Sequence, residues 1–455
     1  MKNFIQNIIL ILVLTIILLF SYGYVQKKMQ RKTEPLTPAG FLEYIANGLA
    51  TKEKNAEKNG DSPEKEEGQA GEYRAVWVSY LEFSAYRRSV EKNNADAFTK
   101  YFQHILNRSK KCGLNRIIVQ VRPFGDALYA STYFPWAACI SGKQGKNLGY
   151  DPLKIMVQLA HEEGFKIEAW INPYRISSGN SLEELAENNP ARVWAADKEH
   201  TRNVLSYEGA LYYNPSKPEV RELICNGVKE IVENYSVDGI HLDDYFYPVF
   251  TPENVDSAFD AWEYQHTEKK QSLAEWRREN VNALVSEIYH TVKETDKKIT
   301  FGISPAGNLT NLRSDLENYV DIDTWVKQEG YVDYVMPQIY WGFTNEQAPF
   351  DKILEQWCTL TEKSTVDLYI GLQLYRMGSE EKEPSDYQEL QQPELINRQI
   401  NTLEKKKKVK GYCLFSYQYL DSNNTSYHFD SCEFSSQRKK ILQKIARNLA
   451  KRDTK

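Results

Sequence analysis

Apolar and polar positions follow two alternating rhythms along most of this chain. Eight short runs have the period and composition of buried strands: residues 74–79, 116–122, 166–172, 238–243, 299–304, 333–340, 367–373 and 410–416. Most are followed by a stretch with the apolar spacing of a helix, at 97–111, 152–163, 218–235 and 351–362, and another such stretch, 273–294, precedes the fifth strand. Strands that alternate with helices form parallel βαβ units, and eight units predict a closed (β/α)8 barrel, the TIM barrel of the α/β class. A doubly wound sheet is the alternative, although it rarely has eight regular repeats.

The fourth predicted strand ends in two neighbouring carboxylates. Residues 237–248 read VDGIHLDDYFYP, so the two aliphatic residues of the strand point to one side, and His241 and Asp243 point to the other. A carboxylate in a buried strand is costly unless it is paired or used, and Asp244 follows where the strand should end. Since the active sites of such barrels lie at the C-terminal ends of the strands, we predict that Asp243 and Asp244 are catalytic. A salt bridge from Asp243 to an arginine at another strand end is the structural alternative.

A second catalytic carboxylate is expected from a different part of the chain. The two acids stand beside aromatic residues at 245–247, and acids beside rings that can stack on sugars suggest carbohydrate chemistry. Glycosidic bonds are normally hydrolysed by two carboxylates, one that protonates the leaving oxygen and one that acts as nucleophile or base. Asp243 and Asp244 are adjacent, so strand alternation directs their side chains apart and they do not form this pair by themselves. Glu168, which shares a strand face with Trp170, and Asp126, in the loop after the second strand, are the candidate partners. The bulk of Trp170 leaves open that this face is the outer one.

Polar and aromatic side chains at other strand ends are predicted to bind the substrate. Arginine side chains can hold a sugar hydroxyl or a carboxylate, or neutralise a buried acid, and aromatic rings can stack on sugars or simply pack. The histidine of the fourth strand is expected to hydrogen-bond to Asp243. The predicted substrate-binding residues are Arg122, Asn172, Tyr174, Arg175, His241, Tyr245, Gln338, Tyr340 and Trp341. Cys and His residues are not clustered with metal-ligand spacing, so neither a metal site nor a cofactor is predicted.

The N-terminal region differs in composition from the barrel. Residues 4–20 are almost wholly apolar, which predicts a signal anchor, or a signal peptide cleaved near Gly23, within residues 1–26. Residues 27–71 are rich in Lys, Glu, Asn and Gly and predict a low-complexity, disordered tether; the barrel is predicted at 72–450. We expect a barrel anchored to the cell membrane outside the cytoplasm, or a secreted one, and an anchor that faces the cytoplasm is the alternative. The net charge of -5 gives no reason to expect nucleic acid as a partner, and the oligomeric state is left open.

Several motifs, in order along the chain, resemble those of glycosyl-hydrolase-like family 10, bacterial proteins with (β/α)8 barrels of glycosidase type. These motifs are RAVWV at 74–78, QVRP at 120–123 followed by Asp126, AWINPYR at 169–175, YNP at 213–215, DGIHLDDYFYP at 238–248, GISP at 302–305 and PQIYW at 337–341. The resemblance implies an enzyme that hydrolyses O-glycosidic bonds of a polysaccharide outside the cytoplasm, with bacterial cell-wall glycan as the expected substrate.

The fourth-strand motif is also similar to the Asp-Gly-Ile-Asp-x-Asp-x-Glu signature of chitinase-type barrels. Tyr245 stands where those enzymes have the catalytic Glu, so their substrate-assisted mechanism does not transfer to this chain. The family often has His at the position of Glu168, which makes Asp243 and Asp244 the stronger candidates. Two other functions stay open, namely a catalytically silent glycan-binding protein and a metal-dependent polysaccharide deacetylase.

Overall fold

Parallel strands close into a barrel in the computed structural model, which describes residues 73–268, 271–422 and 434–452. In chain order, strands β1 to β12 are Tyr73–Val78, Arg116–Arg122, Lys166–Ile171, Arg175–Ser177, Val204–Tyr207, Ala210–Tyr213, Gly239–Leu242, Thr300–Ile303, Tyr334–Val335, Gln338–Ile339, Asp367–Gln373 and Val409–Phe415. The parallel sheet runs in the order β10-β11-β12-β1-β2-β3-β7-β8-β9, and β9 also pairs with β11, so that the sheet closes on itself. The predicted (β/α)8 barrel is confirmed.

Helices follow the barrel strands and pack their apolar faces on the outside of the sheet. Their bounds are Tyr80–Ser89, Ala95–Lys111, Ala138–Ser141, Pro152–Glu162, Pro190–Ala196, Pro218–Asn234, Ala261–Gln265, Leu273–Thr295, Leu309–Leu312, Ile322–Lys327, Phe350–Thr361, Tyr387–Leu390, Leu395–Leu403, Tyr417–Leu420 and Ser436–Ala450, with a 3-10 turn at Thr201–Asn203. Capping side chains determine where several of these helices begin. Asp151 accepts a hydrogen bond from the backbone of Lys154, and Ser272 and Glu275 form a capping box.

The sixth barrel position is divided, whereas the sequence predicts one continuous strand at 333–340. Met336 and Pro337 separate β9 from β10, and both short strands pair with β11. Pro337 has no N–H and cannot donate to the sheet, which explains the interruption. Gln338 still donates from its backbone to the carbonyl oxygen of Pro305 at 2.9 Å. The break therefore leaves the strand in place at the mouth of the barrel.

The inside of the barrel is a packed aromatic core. Its buried members are Tyr73, Ala75, Trp77, Ile118, Trp170, Tyr334, Met336 and Cys413. Trp170 thus points inward, which settles the question that its bulk leaves open in the sequence. A Cβ on Gly302 would lie 2.2 Å from the ring of Tyr334, so only glycine lets this ring cross the interior. The interior of the barrel is therefore filled by side chains and does not form a channel.

A three-stranded antiparallel sheet lies in the segment between β3 and the helix Pro218–Asn234. Its strands have the order β4-β6-β5. The predicted signal or anchor segment at 1–26 and the tether at 27–71 lie outside the described residues. Within the part of the chain that the structure describes, no helix has the length and apolar character needed to cross a bilayer.

Candidate active site

A cleft of about 1090 Å³ opens at the C-terminal ends of the barrel strands. Its walls come from the loops that follow β3, β7, β8, β10 and β11, and they include polar, acidic and aromatic side chains. A smaller pocket of about 390 Å³ reaches down to Trp77, Trp170 and Asp243. Tyr245, Gln338, Tyr340 and Tyr375 line both spaces. The cleft therefore has a deep floor pocket at the top of the barrel core, and we call this part the floor pocket below.

Asp243 is fixed at the floor by three hydrogen bonds. Its Oδ2 accepts from Trp170 Nε1 at 3.1 Å and from Asn172 Nδ2 at 2.8 Å, and its Oδ1 accepts from the backbone N–H of Tyr245 at 3.2 Å. Burial raises the pKa of Asp243 to about 6, while these donors and Arg175 act in the opposite direction. The donors leave the carboxylate little freedom to move, which suits a group that must face a developing positive charge.

Asp244 lies in a different environment, although it is the next residue. It is half-buried and lines the cleft, and its closest side-chain donor is Gln338 Nε2, 3.5 Å from Oδ1. Burial raises the pKa of Asp244 to about 7, and the negative charges of Asp243 and Glu317 add to the increase. Near neutral pH this carboxyl group can carry a proton and release it, as a general acid must.

A buried chain of amides supports Asp243 from below. Asn172 accepts a hydrogen bond from Gln120 Nε2 at 2.6 Å, and Gln120 accepts from the backbone N–H of Tyr80 at 3.0 Å. Asn172 is therefore oriented by β2 so that its own amide points at Asp243. In this structure Asn172 holds the carboxylate of Asp243, and its predicted contact with substrate stays a prediction.

Five of the predicted substrate-binding residues are brought together at the cleft: Arg175, Tyr245, Gln338, Tyr340 and Trp341. Tyr245 is 58% exposed and is free to stack on a sugar. The ring of Tyr340 is inclined by 29° to that of Phe415, with centroids 6.1 Å apart, and meets Tyr375 edge-on. Their placement agrees with the prediction from the strand ends.

Glu168 and His241 point into the barrel interior and do not line either space. The carboxylate of Glu168 accepts hydrogen bonds from the hydroxyl groups of Tyr73 and Tyr334 and pairs with Arg116 Nη1 at 3.0 Å. This placement does not support a catalytic role for Glu168, because the packed core separates it from the mouth.

His241 is wholly buried, and its hydrogen-bonding partners differ from the predicted one. Its Nε2 lies 3.2 Å from Trp77 Nε1 and 3.1 Å from Ser304 Oγ, and its Nδ1 lies 2.8 Å from the hydroxyl of Tyr334. Asp243, the expected partner, is held by the other donors described above. Burial lowers the pKa of His241 to about 3, so the ring is neutral and has a structural place below the floor pocket.

Arg122, Asp126 and Tyr174 are also fully enclosed, on the outer side of the barrel. Arg122 lies 4.2 Å above the ring of Phe134 and donates to the carbonyl oxygen of Pro173 at 3.3 Å. Asp126 Oδ2 accepts from the backbone N–H of Ala138 and from Gln144, and burial raises its pKa to about 6. The Tyr174 ring belongs to the core between strands and helices. None of these three side chains lines the cleft or the floor pocket, so their predicted roles in substrate contact or catalysis stay predictions that this placement does not favour.

The structure adds cleft residues that are not among the predicted site residues. Among them are Tyr207, Glu317, Asn318, Tyr375 and Arg376. Arg376 donates to the carbonyl oxygen of Tyr340 and pairs with Asp386 at 3.1 Å, which fixes its guanidinium at the edge of the cleft. Most of these residues lie in loops without periodicity, so only their position after a barrel strand could have indicated them. Within the described ranges, no group of three or more His, Cys, Asp or Glu residues has the geometry to hold a metal ion.

The fold is similar to that of a solved glycoside hydrolase. The PgaB (BpsB) glycoside hydrolase domain from Bordetella bronchiseptica superposes with a TM-score of 0.50 at 13% identity, covering 78% of this chain and 96% of that chain. At this level of identity the likeness concerns the fold alone.

Sequence relatives give a closer match. The family Glycosyl hydrolase-like 10 matches residues 72–389. The chain is 35% identical over 372 residues to glycosyl hydrolase YngK of Bacillus subtilis (strain 168), covering 77% of this chain and 69% of that protein. It is 33% identical over 343 residues to glycosyl hydrolase DigH of Escherichia coli (strain K12), covering 70% of this chain and 76% of that protein. The chain therefore belongs to the Glycosyl hydrolase-like 10 family and is, as the sequence predicts, an enzyme of the glycoside hydrolase class.

Proposed function

We propose that this enzyme hydrolyses O-glycosidic bonds of a polysaccharide outside the cytoplasm, with bacterial cell-wall glycan as its substrate. The observation that carries the proposal is the pair of adjacent aspartates at the mouth of the barrel. Asp243 is held by three donors, whereas Asp244 faces the cleft and has a pKa of about 7. Two carboxyl groups with different environments can divide the work of glycoside hydrolysis between them.

Asp244 is the proton donor in this proposal. Its carboxyl group has a pKa of about 7, so a large share of the molecules carries this proton near neutral pH, and since it faces the cleft it can protonate the glycosidic oxygen as the bond breaks. Asp243 lies in the floor pocket, and its fixed negative charge stabilises the oxocarbenium-like character of the sugar in the transition state. A fixed charge is effective because it requires no reorganisation during the reaction.

The cleft suits an oligomeric substrate better than a single sugar. Its volume of about 1090 Å³ exceeds the range of roughly 300–1,000 Å³ that is usual for small-molecule sites. Exposed Tyr245 and half-buried Trp341 offer aromatic faces at different points along it. Arg175 and Arg376 add cationic groups that can bind hydroxyl or carboxylate groups of a glycan.

The cell wall as the substrate is supported by the order of segments in the sequence. An apolar stretch at 4–20 followed by a polar stretch at 27–71 would export the barrel and keep it near the membrane. A hydrolase in that position would lie next to the cell-wall glycan. Location and substrate are thus parts of one proposal.

The test is the release of reducing ends by the full-length chain from purified sacculi, chitin oligomers and other bacterial polysaccharides. Asp243→Asn and Asp244→Asn should each abolish the release, while Asp323→Asn should not. Asp323 is a suitable control because it lies on the helix Ile322–Lys327 and pairs with Arg313 and Lys327 away from the cleft. Full activity of both cleft variants would refute the assignment.

Two other outcomes would identify the competing functions. A catalytically silent glycan-binding protein would bind oligosaccharides tightly and release no reducing ends after long incubation. A deacetylase would release acetate and lose that activity when a chelator removes its metal.

A further inference from the structure

The loop after β8 carries a carboxylate toward the two aspartates. This segment, residues 315–319, is joined to the loop after β7 by backbone and side-chain hydrogen bonds. The backbone N–H of Phe250 donates to the carbonyl oxygen of Leu316 at 2.7 Å. The side-chain amide of Asn318 is oriented so that its nitrogen faces hydrogen-bond acceptors. This nitrogen donates to the carbonyl oxygens of Asp244 at 2.9 Å and Tyr247 at 3.3 Å. Glu317 therefore directly precedes the residue that hydrogen-bonds to the backbone of Asp244.

The backbone of this segment is held in an unfavourable conformation. Asn318 has φ of 54° and Tyr319 has φ of 53°, so two consecutive non-glycine residues are left-handed. Each such residue costs about 1–3 kcal/mol and persists only where the surroundings enforce it. Arg277 helps to hold this conformation, because it donates a hydrogen bond to the Tyr319 hydroxyl at 2.9 Å. Arg277 is itself fixed by a fully buried ion pair with Asp260. Strained residues concentrate at functional sites, and this pair directly follows a carboxylate in the cleft.

Glu317 differs from the other acidic residues of the cleft. It is half-buried and lines the cleft, whereas Glu208, Glu346 and Glu383 are exposed. Its carboxylate oxygens have no hydrogen-bonding or ionic partner among the described residues, in contrast to Glu168 in the barrel core. Burial raises the pKa of Glu317, and its charge in turn raises the pKa of Asp244. A carboxylate without a protein partner at this depth is available to water and substrate.

We propose that Glu317 is the second catalytic carboxylate and activates the water that attacks the anomeric carbon. The inference rests on the proposed glycoside hydrolysis. Asp244 gives its proton to the glycosidic oxygen, which keeps the electron pair of the broken C–O bond. Water transfers a proton to Glu317 as its oxygen bonds to the anomeric carbon, so one water is consumed for each bond cleaved. Exchange with solvent then returns a proton to Asp244 and removes one from Glu317.

Attack by water from the side opposite the leaving oxygen inverts the anomeric configuration. The configuration of the first product thus reports directly on the role given to Glu317. A residue that only shaped the cleft would not determine it.

The experiment compares the wild-type chain with Glu317→Gln and Glu317→Asp on glycan strands prepared from sacculi and on chitin oligomers. Glu317→Gln should lower kcat by about 10²- to 10⁴-fold, the range of general base catalysis, and leave glycan binding and the melting temperature near wild type. Glu317→Asp keeps the charge but retracts it by one methylene, so it should lose at least about ten-fold. Asp315→Asn is the matched control, since it removes an exposed carboxylate of the same segment that pairs with Arg278.

The pH profile adds a readout that a structural role would not change. Loss of the Glu317 charge lowers the pKa of Asp244, so the alkaline limb of the residual Glu317→Gln activity should move to lower pH. Proton NMR of the first product should show the inverted anomer. Activity of Glu317→Gln within about three-fold of wild type, or a product with retained configuration, would overturn the assignment.

The outcomes separate this inference from the proposed function. If the wild-type chain cleaves none of the glycans, the proposed function fails and the role of Glu317 fails with it. If the wild-type chain is active and Glu317→Gln is equally active, only the role of Glu317 is wrong.

Discussion

The Asp244→Asn substitution should make the enzyme more stable at alkaline pH, because it removes the charge that the aspartate carries there. Burial, Asp243 and Glu317 raise the pKa of Asp244 from the ordinary value of 3.8 to about 7 in the folded protein. The folded state therefore binds this proton more tightly than the unfolded state does. Stability from this group is fully present below the unfolded pKa and is lost as pH rises through the folded pKa.

The size of the effect follows from the difference between the two pKa values. About three pKa units at ~1.4 kcal/mol each correspond to an upper value of ~4 kcal/mol. Because the side chain is half-buried, water screens part of the repulsion, and we expect about 1–3 kcal/mol. Asp244→Asn removes the titrating group, so its free energy of unfolding should match that of wild type near about pH 4 and exceed it by this amount near about pH 8.

Urea unfolding of both proteins at these two pH values measures the difference. Asp323→Asn serves as the control: partial burial acts to raise the pKa of Asp323, but its hydrogen bonds and ion pairs with Arg313 and Lys327 lower this pKa overall. That variant should lose a little stability and gain none at alkaline pH. An Asp244→Asn protein that is no more stable than wild type near about pH 8 would show that Asp244 is ordinarily ionised in the folded state. That result would also remove the physical basis for the proposal that Asp244 is the general acid.

Three further predictions concern the same site and its supports. The wild-type kcat/KM should fall as pH rises through about 7, since Asp244 must be protonated, and a rate that stays constant up to about pH 9 would contradict this. Arg277→Met leaves Asp260 buried without its partner at 2.8 Å, so thermal unfolding should show a loss of about 3–5 kcal/mol, whereas an unchanged melting temperature would count against the pair. Glu168→Gln should lower the melting temperature, because it breaks the ion pair with Arg116, and should keep kcat within about ten-fold of wild type. A large loss of kcat at unchanged stability would instead make Glu168 a catalytic candidate again.

The fold could be predicted from the sequence because barrel strands and their helices have regular periods. The predicted strand at 367–373 and the observed β11 have the same bounds, and the helix predicted at 273–294 is observed at Leu273–Thr295. A parallel sheet that is covered on both sides has strands buried on both faces, and the resulting short, continuous apolar runs leave a strong local signal. The division of the sixth strand at Met336 and Pro337 is the kind of detail that this signal does not resolve.

The sequence by itself also determined that acidic and aromatic residues lie at the strand ends. Asp243 and Asp244 are among these residues. Only the tertiary structure decided which of the other strand-end residues face the cleft. Strand alternation sends Glu168 into a filled barrel and Arg122 toward the helices, and nothing local distinguishes these fates from exposure at the mouth. The proposed partner carboxylate, Glu317, lies in an irregular loop that meets Asp244 only after the barrel closes. Contacts between loops leave no periodic trace in a sequence, because they depend on where distant strands end in space.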